Sequence, residues 1–355
     1  MIRTILPTAT GAIEIGDALP TYLIAEIGLN HTGNEELART MIYQAALSGA
    51  SFVKFQKRSP VDLATANFLD APFAKCPVLG RTQREVRHRL ELSLEAYQRL
   101  RCYAESLGLI FFASAFDIPS LDFLLQADVK IVKIASHSLT NGPLLRRLAQ
   151  LRLPVIASVG GSTSHEQDMA LGILRDNPVV LLHCVSAYPT PDHMVALDTI
   201  AALRERYKIP VGFSSHEVGI DISVAASVLG ACMIERHFTL NRAMIGLDQS
   251  ISLEPAEFAE MAIKVRRLQA ARGVSKGLQD GEKAAKYAYH VAVCANQPIR
   301  AGTVIAAEML VCKQPLIDPM RYFTGLEVES VIGLTAKIDL VGDTAIPRDS
   351  VSAYR

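Results

Sequence analysis

The sequence predicts a (β/α)8 barrel followed by a small C-terminal β-rich domain. Eight short, almost continuously apolar segments recur between Tyr22 and Arg236, each followed by a helical pattern. Buried parallel strands joined by crossover helices have this signature. Polar residues gather within or just after those segments, where such a barrel opens its mouth. The alternation then gives way to short strands and turns in the C-terminal part. An open doubly wound sheet is the competing arrangement, but it usually has fewer strands.

Residues 1–20 carry β-type pieces around Thr8-Ala9-Thr10-Gly11 and predict a hairpin. The predicted barrel strands are Tyr22–Gly28, Ser51–Gln56, Leu109–Ser114, Val129–Ala135, Pro154–Val159, Pro178–Cys184, Pro210–Ser215 and Ala231–Arg236. Ser48-Gly49 and Leu107-Gly108 are helix stops. Ser164 and Gln167 have capping-box spacing. A helix over Val218–Leu229 separates the last two strands, and Glu254–Arg272 is the final barrel helix, with Pro255 in its first turn. The excursion Lys57–Leu92 is too long for a simple connection and reads either as a lid or as a disordered loop. The barrel domain is therefore placed at 21–275, a linker at 276–288 and the small domain at 289–355.

Lys+Arg and Asp+Glu balance at 36 each, which argues against nucleic acid or an anionic membrane as partner. The six cysteines lie far apart and read as reduced core thiols of a cytoplasmic protein. Neither a signal peptide nor a membrane-spanning run is expected.

The stretch Pro210–Leu240 organises the predicted site. Its two strands end in Ser214-Ser215-His216-Glu217 and Glu235-Arg236-His237. A parallel crossover brings His216 and His237 to the same end of one sheet, where two imidazoles can share a divalent cation. A nearby carboxylate or water favours Mn2+ or Mg2+, and a thiolate favours zinc; no cysteine stands in either strand-end cluster. Other polar residues at strand ends are Glu26, Asn30, His31, Lys54, Gln56, Ser114, Lys133, Ser136, His137, Ser138, Ser158, His183, Ser186, Tyr188 and Ser214. Lysines and hydroxyls together suit phosphate or carboxylate. The competing reading pairs Lys54 with Glu26, buries Lys133 in a second ion pair, and makes His183 a hydrogen-bonded core residue.

Several strings resemble the sialic acid synthase family, which makes N-acetylneuraminate and related nonulosonates. They are Ala25–Gly33, Val53–Gln56, Leu182–Cys184 with Tyr188-Pro189-Thr190, Ser215–Glu217 and Glu235–Thr239. The resemblance covers essentially the whole chain. It implies a (β/α)8 barrel plus an antifreeze-protein-like (SAF) domain, arranged as a domain-swapped homodimer. It also implies condensation of phosphoenolpyruvate with an N-acylated hexosamine, with Mn2+ as the expected cofactor and Mg2+ as the alternative. By the resemblance His216 and His237 hold the metal. Lys54, Lys133, Ser136, Ser158, Ser186 and Ser214 contact phosphoenolpyruvate, and Tyr188 and Asp248 contact the sugar. Glu26, Lys54, Lys133 and His137 are the expected catalytic groups. The chain departs from the family pattern twice. Ser138 stands where many members have a proton-transferring acid, leaving His137 as the candidate for that task. Gln314 stands where bacterial members have an arginine that holds the N-acyl group. A Schiff-base aldolase using Lys133 or Lys54, and a sugar-binding homologue with little turnover, are the alternative functions.

Overall fold

The computed structural model describes residues 1–9, 11–273, 277–316 and 321–352. The chain divides into two units, Met1–Arg272 and Gly273–Arg355. Unit 1 opens with β1 (Arg3–Thr8) antiparallel to β2 (Gly11–Gly16). Leu6 and Ile15 of this hairpin are fully buried in the main core. Thr10, in the expected turn, lies outside the described residues.

The eight expected strands all form: β3 (Tyr22–Gly28), β4 (Phe52–Lys57), β5 (Ile110–Ala115), β6 (Val132–Ile134), β7 (Val155–Ser158), β8 (Val179–Cys184), β9 (Val211–Ser215) and β10 (Met233–His237). They close into a parallel barrel in sequence order, with β10 pairing back onto β3. Their side chains are buried on both faces because helices cover the outside. The helices of unit 1 are α1 (Glu35–Leu47), α2 (Pro60–Leu63), α3 (Ala66–Leu69), α4 (Gln83–Leu90), α5 (Leu94–Ser106), α6 (Ile118–Gln126), α7 (Gly142–Leu151), α8 (Ser164–Ile173), α9 (Thr199–Tyr207), α10 (Asp221–Val228) and α11 (Pro255–Ala271). Pro255 occupies the first turn of α11, as its fixed φ favours.

Two helix starts differ from expectation. The α8 capping box uses Thr163 and Glu166, one residue earlier than Ser164 and Gln167. The Glu166 carboxylate accepts from Thr163 N at 2.7 Å, a stronger acceptor than an amide would be. Helix α10 begins at Asp221 rather than Val218, because Gly219 turns through a left-handed conformation (φ +79°).

The excursion between β4 and α5 is folded. Lys57 and Glu91 pair at 2.7 Å across its base. Leu79, Val86 and Leu90 make a small core with Leu29.

In unit 2, β11 (Ala292–Ala295) pairs antiparallel with β12 (Leu310–Lys313), with α13 (Val328–Val331) beyond them. Single bridges such as Ile299↔Leu340 and Val304↔Thr335 complete a loop-rich β unit around Val293, Ile305 and Ile346. The expected linker carries a helix instead: α12 spans Lys283–Tyr289. Three alanines and two lysines among its seven residues favour helix intrinsically. The expected boundary at 275/276 lies outside the described residues.

All six cysteines are free thiols, but Cys102 and Cys312 are exposed rather than in the core. Among the described residues no helix is long and apolar enough to cross a membrane.

Candidate active site at the mouth of the barrel

Alternation along each strand decides which polar side chains enter the barrel. On β10, Glu235 and His237 line an inner cavity of about 250 Å3, while Arg236 does not. The same cavity receives Glu26 from β3, Lys54 and Gln56 from β4, Ser114 from β5 and Lys133 from β6. Ser158 and Ser214 enter from β7 and β9, and the following loops add Ser136, His137, Ser186, Tyr188, His216 and Asp248. Every barrel residue to which the family resemblance gave a role is therefore in one place, whereas Asn30, His31, Ser138 and His183 do not line the cavity. Gln314 lies in unit 2, where its amide donates to the Tyr289 carbonyl at 3.0 Å.

The lysines are not free to meet an anion unaccompanied. Lys54 Nζ lies 3.0 Å from Glu26 and 3.5 Å from Glu235, and donates to Ser114 at 3.2 Å. Lys133 Nζ donates to both oxygens of Glu235, at 3.0 and 3.1 Å. Ser214 donates to Glu235 at 3.1 Å, and Gln56 donates to Glu26 at 2.6 Å. Two ammoniums and two carboxylates thus form one buried network, and both competing ion-pair readings are realised. Burial disfavours the charge on Lys133, and Glu235 only partly offsets this, so its pKa falls below the usual lysine value. Lys54 meets the same burial, but Glu235 and Glu26 together outweigh it and hold its pKa up. Burial also acts against the Glu235 carboxylate, yet the two ammoniums hold its pKa low. Glu235 was visible in sequence as a strand-end acid but had no role there; here it joins the two lysines.

His216 and His237 face each other with ring centroids 5.5 Å apart. His216 Nδ1 is 3.1 Å from the Val185 carbonyl. A carbonyl only accepts, so Nδ1 carries the proton and Nε2 keeps its lone pair. Burial and then the neighbouring His237 push the His216 pKa down to about 3, which keeps the ring neutral. His237 Nδ1 is buried without a hydrogen-bond partner among the described residues. A neutral imidazole oriented by a carbonyl, beside an imidazole with an orphaned nitrogen, fits a shared divalent cation. The two rings supply part of a shell: no cluster of three or more His, Cys, Asp or Glu fit to hold a metal occurs among the described residues. Cys184 lines the same cavity, although it is distant from both histidines in sequence. Burial pushes its thiol pKa up, which keeps it neutral and a poor ligand.

Ser138 is buried and does not line the cavity, whereas His137 does. The His137 ring stacks on Phe116, with centroids 5.0 Å apart. Burial and then the Arg58 charge hold its pKa below the usual histidine value. Arg58 also lines the cavity and lies over the other partner in that stack, its Cζ 4.2 Å from the Phe116 centroid. Arg58 was missed because the excursion has no periodicity to place it.

Several strand-end polar residues serve the frame. His183 Nε2 bonds the Val195 carbonyl at 2.6 Å, and its ring stacks on Phe213. Asn30 donates to Phe238 O and Ser252 Oγ, and His31 stacks on Phe55. Arg236 pairs with Glu217 at 2.8 Å and donates to the Glu217 and Gly219 carbonyls at 2.7 Å. It thereby fixes the turn that follows His216. Removing one partner of such a pair leaves a buried charge uncompensated. Glu217→Ala is therefore expected to lower unfolding free energy by about 3–5 kcal/mol in urea denaturation. A loss near zero would show that this network is not structural.

A closed parallel barrel with polar and ionisable side chains at the C-terminal ends of its strands defines a barrel enzyme. Residues 41–277 match the NeuB family, and the chain belongs to that family. N,N'-diacetyllegionaminic acid synthase of Campylobacter jejuni is 36% identical over 313 residues, 85% of this chain and 93% of the relative. Human N-acetylneuraminate-9-phosphate synthase is 36% identical over 344 residues, 96% of this chain and 95% of the relative. A crystal structure of the N-acetylneuraminic acid synthetase from Leptospira borgpetersenii superposes with a TM-score of 0.68 at 32% identity, covering 79% of this chain and 94% of that one.

Proposed function

We propose that this chain is a nonulosonate synthase. It condenses phosphoenolpyruvate with the open-chain aldehyde of an N-acylated hexosamine to give a nine-carbon 2-keto acid and phosphate. One carbon–carbon bond forms, one water is consumed and inorganic phosphate leaves. The observation that carries the reading is the single cavity that joins the Lys54–Lys133 network to the His216–His237 pair. Membership of the NeuB family supports the same chemistry.

In this reading Lys133 and Lys54 bind the donor's anionic groups, with Ser136, Ser158, Ser186 and Ser214 as further donors. Each ammonium carries three N–H groups, so a lysine paired with a carboxylate can still turn a donor to a ligand. Glu26 and Glu235 hold the ammoniums in place and keep the free site near electrical balance. Tyr188 and Asp248 meet the sugar. Tyr188 packs on His216 with centroids 4.0 Å apart, which ties the sugar wall to the metal pair. His137 is the proton carrier nearest the family's missing acid. His216 and His237 would hold Mn2+, or Mg2+, whose charge polarises the aldehyde carbonyl when bound.

The small unit corresponds in this reading to the family's antifreeze-like SAF domain, in a domain-swapped homodimer, and Gln314 belongs to its sugar-facing edge. A cytoplasmic location fits the free thiols.

Product mass tests the reaction. The enzyme with Mn2+, phosphoenolpyruvate and N-acetylmannosamine, its 6-phosphate or a diacetamido-hexose should yield the nine-carbon acid from one of them. Failure with all three would defeat the proposal. Gly160 offers a sharper probe of the donor site. A Cβ there would lie 2.8 Å from Ser186 Oγ, 2.9 Å from Ser136 Oγ and 2.9 Å from the Cys184 carbonyl. Gly160→Ala should raise KM for phosphoenolpyruvate about tenfold or more, since such overpacking costs about 1–3 kcal/mol. An unchanged KM would place the donor elsewhere.

A further inference from the structure

Within the Lys54–Lys133 network each cation has a carboxylate, but at the rim the balance changes. Arg58 lies in the wall of the inner cavity and also lines an outer pocket of about 110 Å3 with Gln83 and Arg87. Arg87 in turn lines a second outer pocket of about 340 Å3 with Thr65 and His137. The three pockets thus share walls: Arg58 belongs to the inner cavity and the first outer pocket, Arg87 to both outer pockets, and His137 to the inner cavity and the second.

Neither guanidinium forms a salt bridge among the described residues. Lys57 takes the nearest carboxylate, Glu91, at 2.7 Å. Arg58 reaches Gln56 through its side chain and Glu91 only through its backbone N–H, at 3.3 Å. Arg87 Nη1 is buried without a hydrogen-bond partner among the described residues. Arg87 instead lies over the Phe68 ring, 4.8 Å from its centroid, and Arg58 over Phe116. Lys57, Arg58 and Arg87 face Glu91 and Asp248, so the rim keeps an excess positive charge. Two like-charged guanidiniums brought together, one with an orphaned buried donor, are costly unless an anion joins them. Their planar donor forks suit phosphate.

We propose that Arg58 and Arg87 form a second anion subsite at the rim, which receives a phosphate on the acceptor sugar at the end remote from its aldehyde. The acceptor is then a hexosamine 6-phosphate. This rests on the synthase reading for orientation: the aldehyde must reach the donor deep in the cavity, which leaves the far end of the open chain at the rim. The phosphate of phosphoenolpyruvate is the other source of the same chemistry.

Calorimetric binding separates these without requiring turnover. N-acetylmannosamine 6-phosphate should bind at least about tenfold tighter than N-acetylmannosamine, since charge-assisted hydrogen bonds are stronger than neutral ones. Arg87→Ala should abolish that preference, and Arg87→Lys, which keeps the charge, should retain part of it. Equal wild-type affinities would overturn the subsite. So would Arg87→Ala weakening phosphoenolpyruvate binding while sparing the sugar phosphate, because the guanidiniums would then serve the donor. Loss of binding in Arg87→Ala counts only if its melting temperature and Arg87→Lys behave as folded protein. Turnover reports separately. Preferential binding of the 6-phosphate without consumption of phosphoenolpyruvate keeps the subsite and removes the synthase reaction. Turnover of both sugars with equal affinity does the reverse.

Discussion

Alanine at His216 or His237 should abolish Mn2+ binding in an electron paramagnetic resonance titration and slow phosphate release about a thousandfold. The magnitude follows from the several kcal/mol that a Lewis acid contributes at a developing charge. The structural basis is local. His216 is turned by the Val185 carbonyl so that its free nitrogen keeps a lone pair, and His237 carries a buried nitrogen without a partner among the described residues. One ring alone leaves too few protein ligands, so either substitution should be as damaging as both together. Undiminished Mn2+ binding in the double variant would place the metal elsewhere, whatever happened to turnover.

Lys133→Met should cost a comparable factor in kcat/KM for phosphoenolpyruvate. The substitution removes the ammonium that donates to both Glu235 oxygens and leaves that carboxylate with Lys54 at 3.5 Å and Ser214. A buried carboxylate stripped of its nearest partner costs about 3–5 kcal/mol, so thermal stability should fall as well. Glu235→Gln separates the two effects. It keeps both lysines but leaves the buried Lys133 ammonium without its carboxylate, so stability should fall by a similar amount while kcat/KM for phosphoenolpyruvate is spared more than in Lys133→Met. The depressed Lys133 pKa is also what a Schiff-base lysine needs. Borohydride with pyruvate should nevertheless give no adduct on the wild-type enzyme. A trapped lysine would favour the aldolase reading.

The barrel was legible because its strands are short apolar runs, and the competing open doubly wound sheet usually has fewer than eight of them. The Lys54–Glu26 pair was also legible, since β3 and β4 are neighbours with these residues in register. The Lys133–Glu235 pair was not, because β6 and β10 are not adjacent and meet only across the barrel interior. His183 shows what strand-end position alone leaves open. It precedes Cys184, which lines the cavity, so alternation turns His183 to the outer face. The same parity sends Arg236 outward between Glu235 and His237. Helix starts were misplaced where two hydroxyls compete, as at Thr163 and Ser164, or where a glycine delays the first turn, as at Gly219. Arg58 and Arg87 stayed invisible because their contacts depend on how a long excursion folds over the mouth.

Phosphorus NMR of the protein with Mn2+, phosphoenolpyruvate and the acceptor panel tests the shared cavity most directly. The account predicts that the phosphoenolpyruvate resonance gives way to inorganic phosphate only when a suitable hexosamine is present. Persistence of that resonance with every sugar, or equal phosphate release with none, would contradict it.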